Sequence, residues 1–315
     1  VVEDRKLTLV FCGTPRFAVP TLERLVSAGF AAALVVTQPD RAKGRGLEVA
    51  FSTVKESALR LGLPLVQPDK IKNNAGFQAQ LAALKPDAII VVGYGRLIPD
   101  WMIALPPLGN LNLHASLLPK YRGAGPIQWA IACGETVTGV TTMRIDAGLD
   151  TGDILLQREV AIAPEDTALT LAPRLAAIGA DLMVATLRGL QAGTVQARPQ
   201  DHALATLAPI LKKEDGLIDF QRPAQEVCNR MRGFQPWPGA FTTFRGQQLQ
   251  VIAARAMSGA STQPGKIEIQ NGELLVGCGN STALHLLEVQ PEGKKKMTAR
   301  DFLNGYRPQA GEKLG

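Results

Sequence analysis

The stretch Asn110-Leu111-Asn112-Leu113-His114-Ala115-Ser116-Leu117-Leu118-Pro119-Lys120-Tyr121-Arg122-Gly123 sets a short alternating strand directly before a loop containing Pro and Gly. Side chains on a strand alternate between faces, so Leu111 and Leu113 share one face while Asn112 and His114 share the other. The leucines suit a core. The carboxamide and imidazole become neighbours at the strand's carboxyl end, which is where open parallel sheets place their ligands. Two polar side chains satisfied by nearby backbone would show the same alternation. The loop that follows favours a site.

On both sides of this strand, the first two hundred residues alternate short β-branched runs with amphipathic segments. Strands are expected over 7–11, 32–37, 88–92 and 111–114, and helices over 17–28, 52–61 and 77–84, each near a Gly or Pro stop signal. This βαβ progression predicts an α/β fold, Rossmann-like, with a mostly parallel sheet and helices on both faces. A strand pair over 137–145 and 154–160 flanks a Gly-rich turn, and a helix over 167–190 closes the domain. Residues 197–211 mix Pro, Gln and Ala without period and read as an interdomain connection. The boundary falls near 205, giving domains 1–204 and 205–315. The second should hold a helix over 224–231 and short strands over 248–253, 265–269, 273–276 and 282–289, a pattern of small β-barrels or sandwiches.

A chain of 315 residues exceeds the roughly 100–150 of a common single domain, which agrees with two cores. No apolar run approaches the roughly 20 residues of a bilayer span, so no membrane partner is expected. The opening Val1-Val2-Glu3-Asp4-Arg5-Lys6 lacks an apolar signal core, and a cytoplasmic location follows as an expectation. Cys12, Cys133, Cys228 and Cys278 form no CxxC, and His114, His202 and His285 lie far apart in sequence. Neither a disulfide framework nor a metal site is expected. The formal net charge of +6 fits a polyanionic partner without requiring one.

Asp146, Asp150 and Asp153 lie in the Gly-rich turn between two strands, where one carboxylate can reach His114; turns also favour Asp and Gly for their own sake. The first strand-to-helix turn, Gly13-Thr14-Pro15-Arg16-Phe17-Ala18, lacks both GxGxxG and GxxxxGK[ST]. A nicotinamide dehydrogenase is therefore disfavoured. The stretch Gln38-Pro39-Asp40-Arg41-Ala42-Lys43-Gly44-Arg45-Gly46 reads either as a phosphate-contacting loop or as a solvated one. Lys294-Lys295-Lys296 leaves the same two readings.

Asn112-x-His114, then Ser116-Leu117-Leu118-Pro119, then Asp150 in its Gly-rich turn together resemble the folate-dependent formyltransferases. Leu149-Asp150-Thr151-Gly152 is the segment matching that family, which selects Asp150 over Asp146 and Asp153. Gly13-Thr14-Pro15-x-Phe17-Ala18, the 38–46 loop, Tyr121-Arg122-Gly123-x-x-Pro126-Ile127-Gln128 and Arg232-Gly233-Phe234-x-Pro236-Trp237-Pro238-Gly239 resemble its tRNA-specific branch. The resemblance implies a Rossmann-like catalytic domain using 10-formyltetrahydrofolate as co-substrate, followed by a small OB-type β-barrel that helps hold tRNA. The implied acceptor is the amino group of initiator methionyl-tRNA, and the expected assembly is a monomer. The implied folate contacts are Arg96, Leu97, Ile98 and Pro99 with Ser116, Leu117, Leu118 and Pro119; Pro99 would equally begin a short helix. The implied tRNA contacts are Arg41, Lys43 and Arg45, with Lys294, Lys295 and Lys296 as further candidates. In formyl transfer Asn112 and His114 suit the developing oxyanion, and Asp150 suits proton movement. The alternative is transfer to a small amine such as glycinamide ribonucleotide or an amino sugar nucleotide.

Overall fold

The computed structural model describes residues 6–43, 48–259 and 262–315. The chain forms two compact units: one comprises Val1–Gly123, Val137–Ala161 and Ala172–Leu207, the other Ala124–Thr136, Ile162–Leu171 and Ala208–Gly315.

In chain order the elements begin β1 (Leu9–Gly13), α1 (Val19–Ser27), β2 (Ala32–Val36), β3 (Arg41–Lys43), β4 (Glu48–Ala50), α2 (Thr53–Arg60) and β5 (Leu65–Val66). They continue through α3 (Ala75–Leu84), β6 (Ala88–Val92), α4 (Asp100–Ile103), β7 (Asn110–His114), α5 (Pro126–Ala132), β8 (Val137–Arg144), β9 (Ile154–Ala161) and α6 (Ala168–Gln191). Side-chain caps start α2 and α3: Ser52 Oγ accepts from Lys55 N at 3.0 Å, and Asn74 Oδ1 from Phe77 N at 3.0 Å.

The first unit's sheet runs β5-β2-β1-β6-β7-β8-β9. Pairing is parallel from β5 to β7 and antiparallel from β7 to β9. β6 is buried at every residue, as expected of a strand covered on both faces. Val10, Cys12, Leu34, Val36, Ile89 and Val91 form one core layer with Phe77, Leu81 and Met102. Since Val91 pairs with Asn112, the Asn112 and His114 face of β7 continues this layer. Leu113 points the other way, onto α6, where a Cβ added to Gly179 would lie 2.7 Å from Leu113 Cδ2.

The strand expected over 7–11 lies two residues later, because Thr8 N bonds the Asp87 side chain at 2.8 Å. The short β3–β4 hairpin was not anticipated. Against the expectation of no apolar span, α6 is long and apolar enough to cross a bilayer. Its apolar residues Leu171, Leu175, Met183 and Leu187 are nevertheless buried in this fold.

The second unit adds α7 (Ala224–Gly233), β10 (Phe241–Phe244), β11 (Gln247–Ser258), β12 (Ile267–Gln270), β13 (Glu273–Cys278), β14 (Thr282–Pro291), β15 (Met297–Thr298) and α8 (Ala299–Tyr306). Its antiparallel sheet runs β10-β11-β14-β13-β12, with β15 on β14. Residues 312–315 join the two edges: Gly315 N donates to Thr243 O of β10, while Ile267 N of β12 donates to Glu312 O. The sheet is thereby closed in the manner of a small barrel. Val276, Leu284, Leu286, Phe244 and Phe302 fill it, the two rings edge to face at 5.2 Å.

Candidate active site

β7 delivers Asn112 and His114 to the carboxyl end of the first unit's sheet. His114 is buried, and its Nε2 lies 2.9 Å from the Tyr121 carbonyl. A carbonyl only accepts, so Nε2 carries the hydrogen. Nδ1 is left to face Asp150, whose Oδ2 is 3.7 Å away. That separation is too long for a hydrogen bond and within range of a charge pair. The same Oδ2 accepts from Gly123 N at 2.8 Å, so the loop after β7 holds the carboxylate beside the imidazole.

The turn carrying Asp150 is closely packed. Asp150 itself has φ of 52°, in the left-handed region that Asp tolerates better than most residues. A Cβ on Gly152 would come within 1.9 Å of the Arg144 carbonyl oxygen, so no larger residue fits there. Asp146 Oδ1 accepts from Gly148 N at 3.0 Å and Thr151 Oγ1 at 2.7 Å, folding the turn from within.

The loop over 115–123 is pinned from β8 and β9. Thr141 Oγ1 donates to Ser116 O at 2.7 Å and accepts from Leu118 N at 3.2 Å. Gln157 Nε2 donates to Leu118 O at 2.9 Å. Ser116 Oγ donates to Lys120 O at 2.6 Å, and the Leu118 side chain packs with Met143 and Ile154. Leu117 is half-buried, with Gly139 at its side.

The loops that follow β1, β2 and β6 are tied through one carbonyl. Tyr94 O accepts from Gln38 Nε2 at 2.8 Å and Thr14 Oγ1 at 3.3 Å. The Tyr94 ring lies in the core, and burial pushes its phenol up to about 12. Burial likewise raises the Cys12 thiol. Below the β3–β4 hairpin, Asp40 is held under the usual carboxylate range by the hydrogen bond from Lys55 and then by that from Gln67.

Among the expected folate contacts, Arg96 donates to Asp69 O, Leu97 is exposed, Ile98 packs on the core and Pro99 stands immediately before α4. Pro119 is half-buried. Arg41 and Lys43 lie on the backbone of β3, and Arg45 falls outside the described residues. Lys294, Lys295 and Lys296 are exposed ahead of β15. Sequence reasoning missed Thr141, Gln157, Gln200 and the role of Arg122. The β8 alternation predicts where Thr141 points, but nothing local marks its partners. Among the described residues no group of three or more His, Cys, Asp or Glu is arranged to hold a metal ion.

A buried imidazole beside a carboxylate, at the carboxyl edge of a parallel sheet and next to a tight Gly-rich turn, suits group transfer with proton movement. Residues 5–187 match the family described as formyl transferase, and residues 210–307 match the formyl transferase C-terminal domain. The chain belongs to the formyl transferase family. It is 67% identical over 309 residues to the methionyl-tRNA formyltransferase of Koribacter versatilis (strain Ellin345), covering 98% of this chain and 99% of that protein. It is 55% identical over 310 residues to the methionyl-tRNA formyltransferase of Solibacter usitatus (strain Ellin6076), covering 98% and 99%. Among solved structures, the N-formyltransferase from Helicobacter canadensis, in complex with folinic acid and dTDP-3-aminofucose, aligns with a TM-score of 0.67 at 17% identity, covering 90% of this chain and 99% of that one. At that identity the likeness concerns the fold.

Proposed function

We propose that this chain transfers the formyl group of 10-formyltetrahydrofolate to the amino group of methionine on initiator methionyl-tRNA, in the cytosol. The placement of His114 Nδ1 against the Asp150 carboxylate carries the chemistry. The near full-length identity to methionyl-tRNA formyltransferases, over both family regions, supports the acceptor.

The neutral amine attacks the formyl carbon and forms a C–N bond, and the carbonyl electrons move onto oxygen. The Asn112 amide donates to that oxyanion, and so does Nδ1 of His114 in the doubly protonated ring, where both nitrogens carry a hydrogen. The carboxylate of Asp150 takes the proton of the attacking nitrogen and returns it to N10 of the folate as the old C–N bond breaks. The products are formylmethionyl-tRNA and tetrahydrofolate. Since Nε2 is bonded to the Tyr121 carbonyl, only Nδ1 of His114 is offered to the reaction. Arg96 and its neighbours, with the 116–119 loop, line the folate's path; the cations at 41–45 and 294–296 meet tRNA phosphates.

The test supplies 10-formyltetrahydrofolate with charged initiator methionyl-tRNA, uncharged tRNA, glycinamide ribonucleotide or an amino sugar nucleotide in separate reactions. Formylation of methionyl-tRNA alone is expected. Transfer to a small amine instead would overturn the acceptor.

A further inference from the structure

Residues 198–207 carry no helical or strand period, yet the structure lays them along both loops of the candidate site. Arg198 and Ile154 exchange backbone hydrogen bonds of 2.8 and 2.9 Å just after the Asp150 turn. Further on, Thr206 Oγ1 accepts from Tyr121 N at 2.9 Å, and Thr206 O accepts from Arg122 N at 2.8 Å. Between these anchors sits Gln200, which is only 6% exposed. Its Nε2 donates to Asp150 O at 2.9 Å and Gly152 O at 2.7 Å. Its Oε1 accepts from Arg122 Nε at 3.1 Å and Nη2 at 2.6 Å. Both donor hydrogens and both acceptor positions of the carboxamide are thus in use.

The two groups that Gln200 joins are the ones that fix the His114 and Asp150 geometry. Arg122 stands between Tyr121, whose carbonyl holds His114 Nε2, and Gly123, whose N–H holds Asp150 Oδ2. The Asp150 carbonyl defines the peptide plane on which this residue leaves its left-handed conformation. A carboxamide is required, because only an amide offers donors to two carbonyls and an acceptor to a guanidinium at one end.

We infer that Gln200 is a positioning residue for formyl transfer, holding the Asp150 turn and the Arg122 loop at the separation that sets Asp150 against His114. The inference rests on the proposed role of Asp150. Gln200→Glu preserves size and the acceptor for Arg122 but sets a carboxylate oxygen against two carbonyls. Gln200→Met removes both sets of bonds without adding charge and serves where the Glu variant does not fold.

The experiment measures kcat and both KM values on the full chain for Gln200→Glu, Gln200→Met, Asp150→Asn and the double variant Asp150→Asn/Gln200→Met. Each Gln200 variant is expected to lose kcat by roughly 10- to 100-fold, the scale of a small misplacement of reacting groups, with KM for folate and tRNA within about twofold. In the Asp150→Asn background, Gln200→Met should add little further loss, because it acts through a group already removed. Wild-type kcat in the soluble Gln200 variants, or a full multiplicative loss in the double variant, would overturn the inference. If Asp150→Asn itself keeps wild-type turnover, the proposed role of Asp150 fails, and this inference with it. A slow Asp150→Asn beside unaffected Gln200 variants removes the positioning role alone.

Discussion

With Nε2 bonded to the Tyr121 carbonyl, His114 meets a substrate through one nitrogen only, and its ring cannot turn without losing that bond inside the fold. Asn112 stands two residues earlier on the same face and is half-buried, so it can meet a ligand while His114 remains anchored. Asn112→Ala and His114→Ala should each lower kcat by about 10² to 10³, the usual loss of one oxyanion donor, with the melting transition and folate affinity largely kept. Near-normal turnover in either would remove that residue from the oxyanion role. Cysteines provide a separate check on the fold. Burial raises the Cys12 thiol and pushes that of Cys278 up to about 12, while Cys133 is exposed. At pH 8 the buried thiols are therefore almost wholly protonated and shielded. Iodoacetamide should modify Cys133 first, with Cys12 and Cys278 reacting on unfolding; labelling of Cys12 at the rate of Cys133 would contradict the packing of β1.

The strands flanking β7 act on the site through side chains aimed at its loop. Thr141, fully buried on β8, satisfies a carbonyl at Ser116 and an amide at Leu118 with a single hydroxyl. Thr141→Val keeps the shape and strands both backbone groups, at a cost of about 1–3 kcal/mol. For a domain of about 150–250 residues this corresponds to roughly 2–4 °C per kcal/mol in Tm. Thermal unfolding should show that drop, together with reduced turnover as the 115–123 loop loosens. An unchanged Tm would mean that the loop is held by Gln157 and Ser116 alone. The β3–β4 hairpin is anchored at its root by Asp40, which bonds Lys55 and Gln67.

The family pattern spans both regions of the chain, and the formal net charge is +6. A tRNA acceptor then predicts salt-dependent binding. Arg41→Ala and Lys295→Ala should each flatten the plot of log affinity against log salt by about 0.7 to 0.9 for every phosphate that is no longer neutralised. A slope unchanged in Arg41→Ala would exclude the hairpin from phosphate binding. In the second unit, the backbone bonds from residues 312–315 to β12 and to the end of β10 complete the ring of strands.

The alternation of Leu111, Asn112, Leu113 and His114 was sufficient to put the two polar side chains on one face, because a strand's period of two is a property of its backbone. The βαβ rhythm likewise determined the parallel sheet, and the motif around Asp150 selected one carboxylate of three. Which nitrogen of His114 is free was not legible: it depends on Tyr121 O, and that carbonyl's direction is set by the folded loop. The span over 197–211 gave no periodic signal since its order comes from bonds to Asp150, Gly152, Arg122 and Tyr121, as many as 85 residues away. Likewise, residues 124–136 and 162–171 pack with the second unit although they lie within the first domain's stretch of sequence. Local geometry is written into neighbouring residues. Contacts between distant segments are decided by which buried donors find acceptors once the sheet has formed.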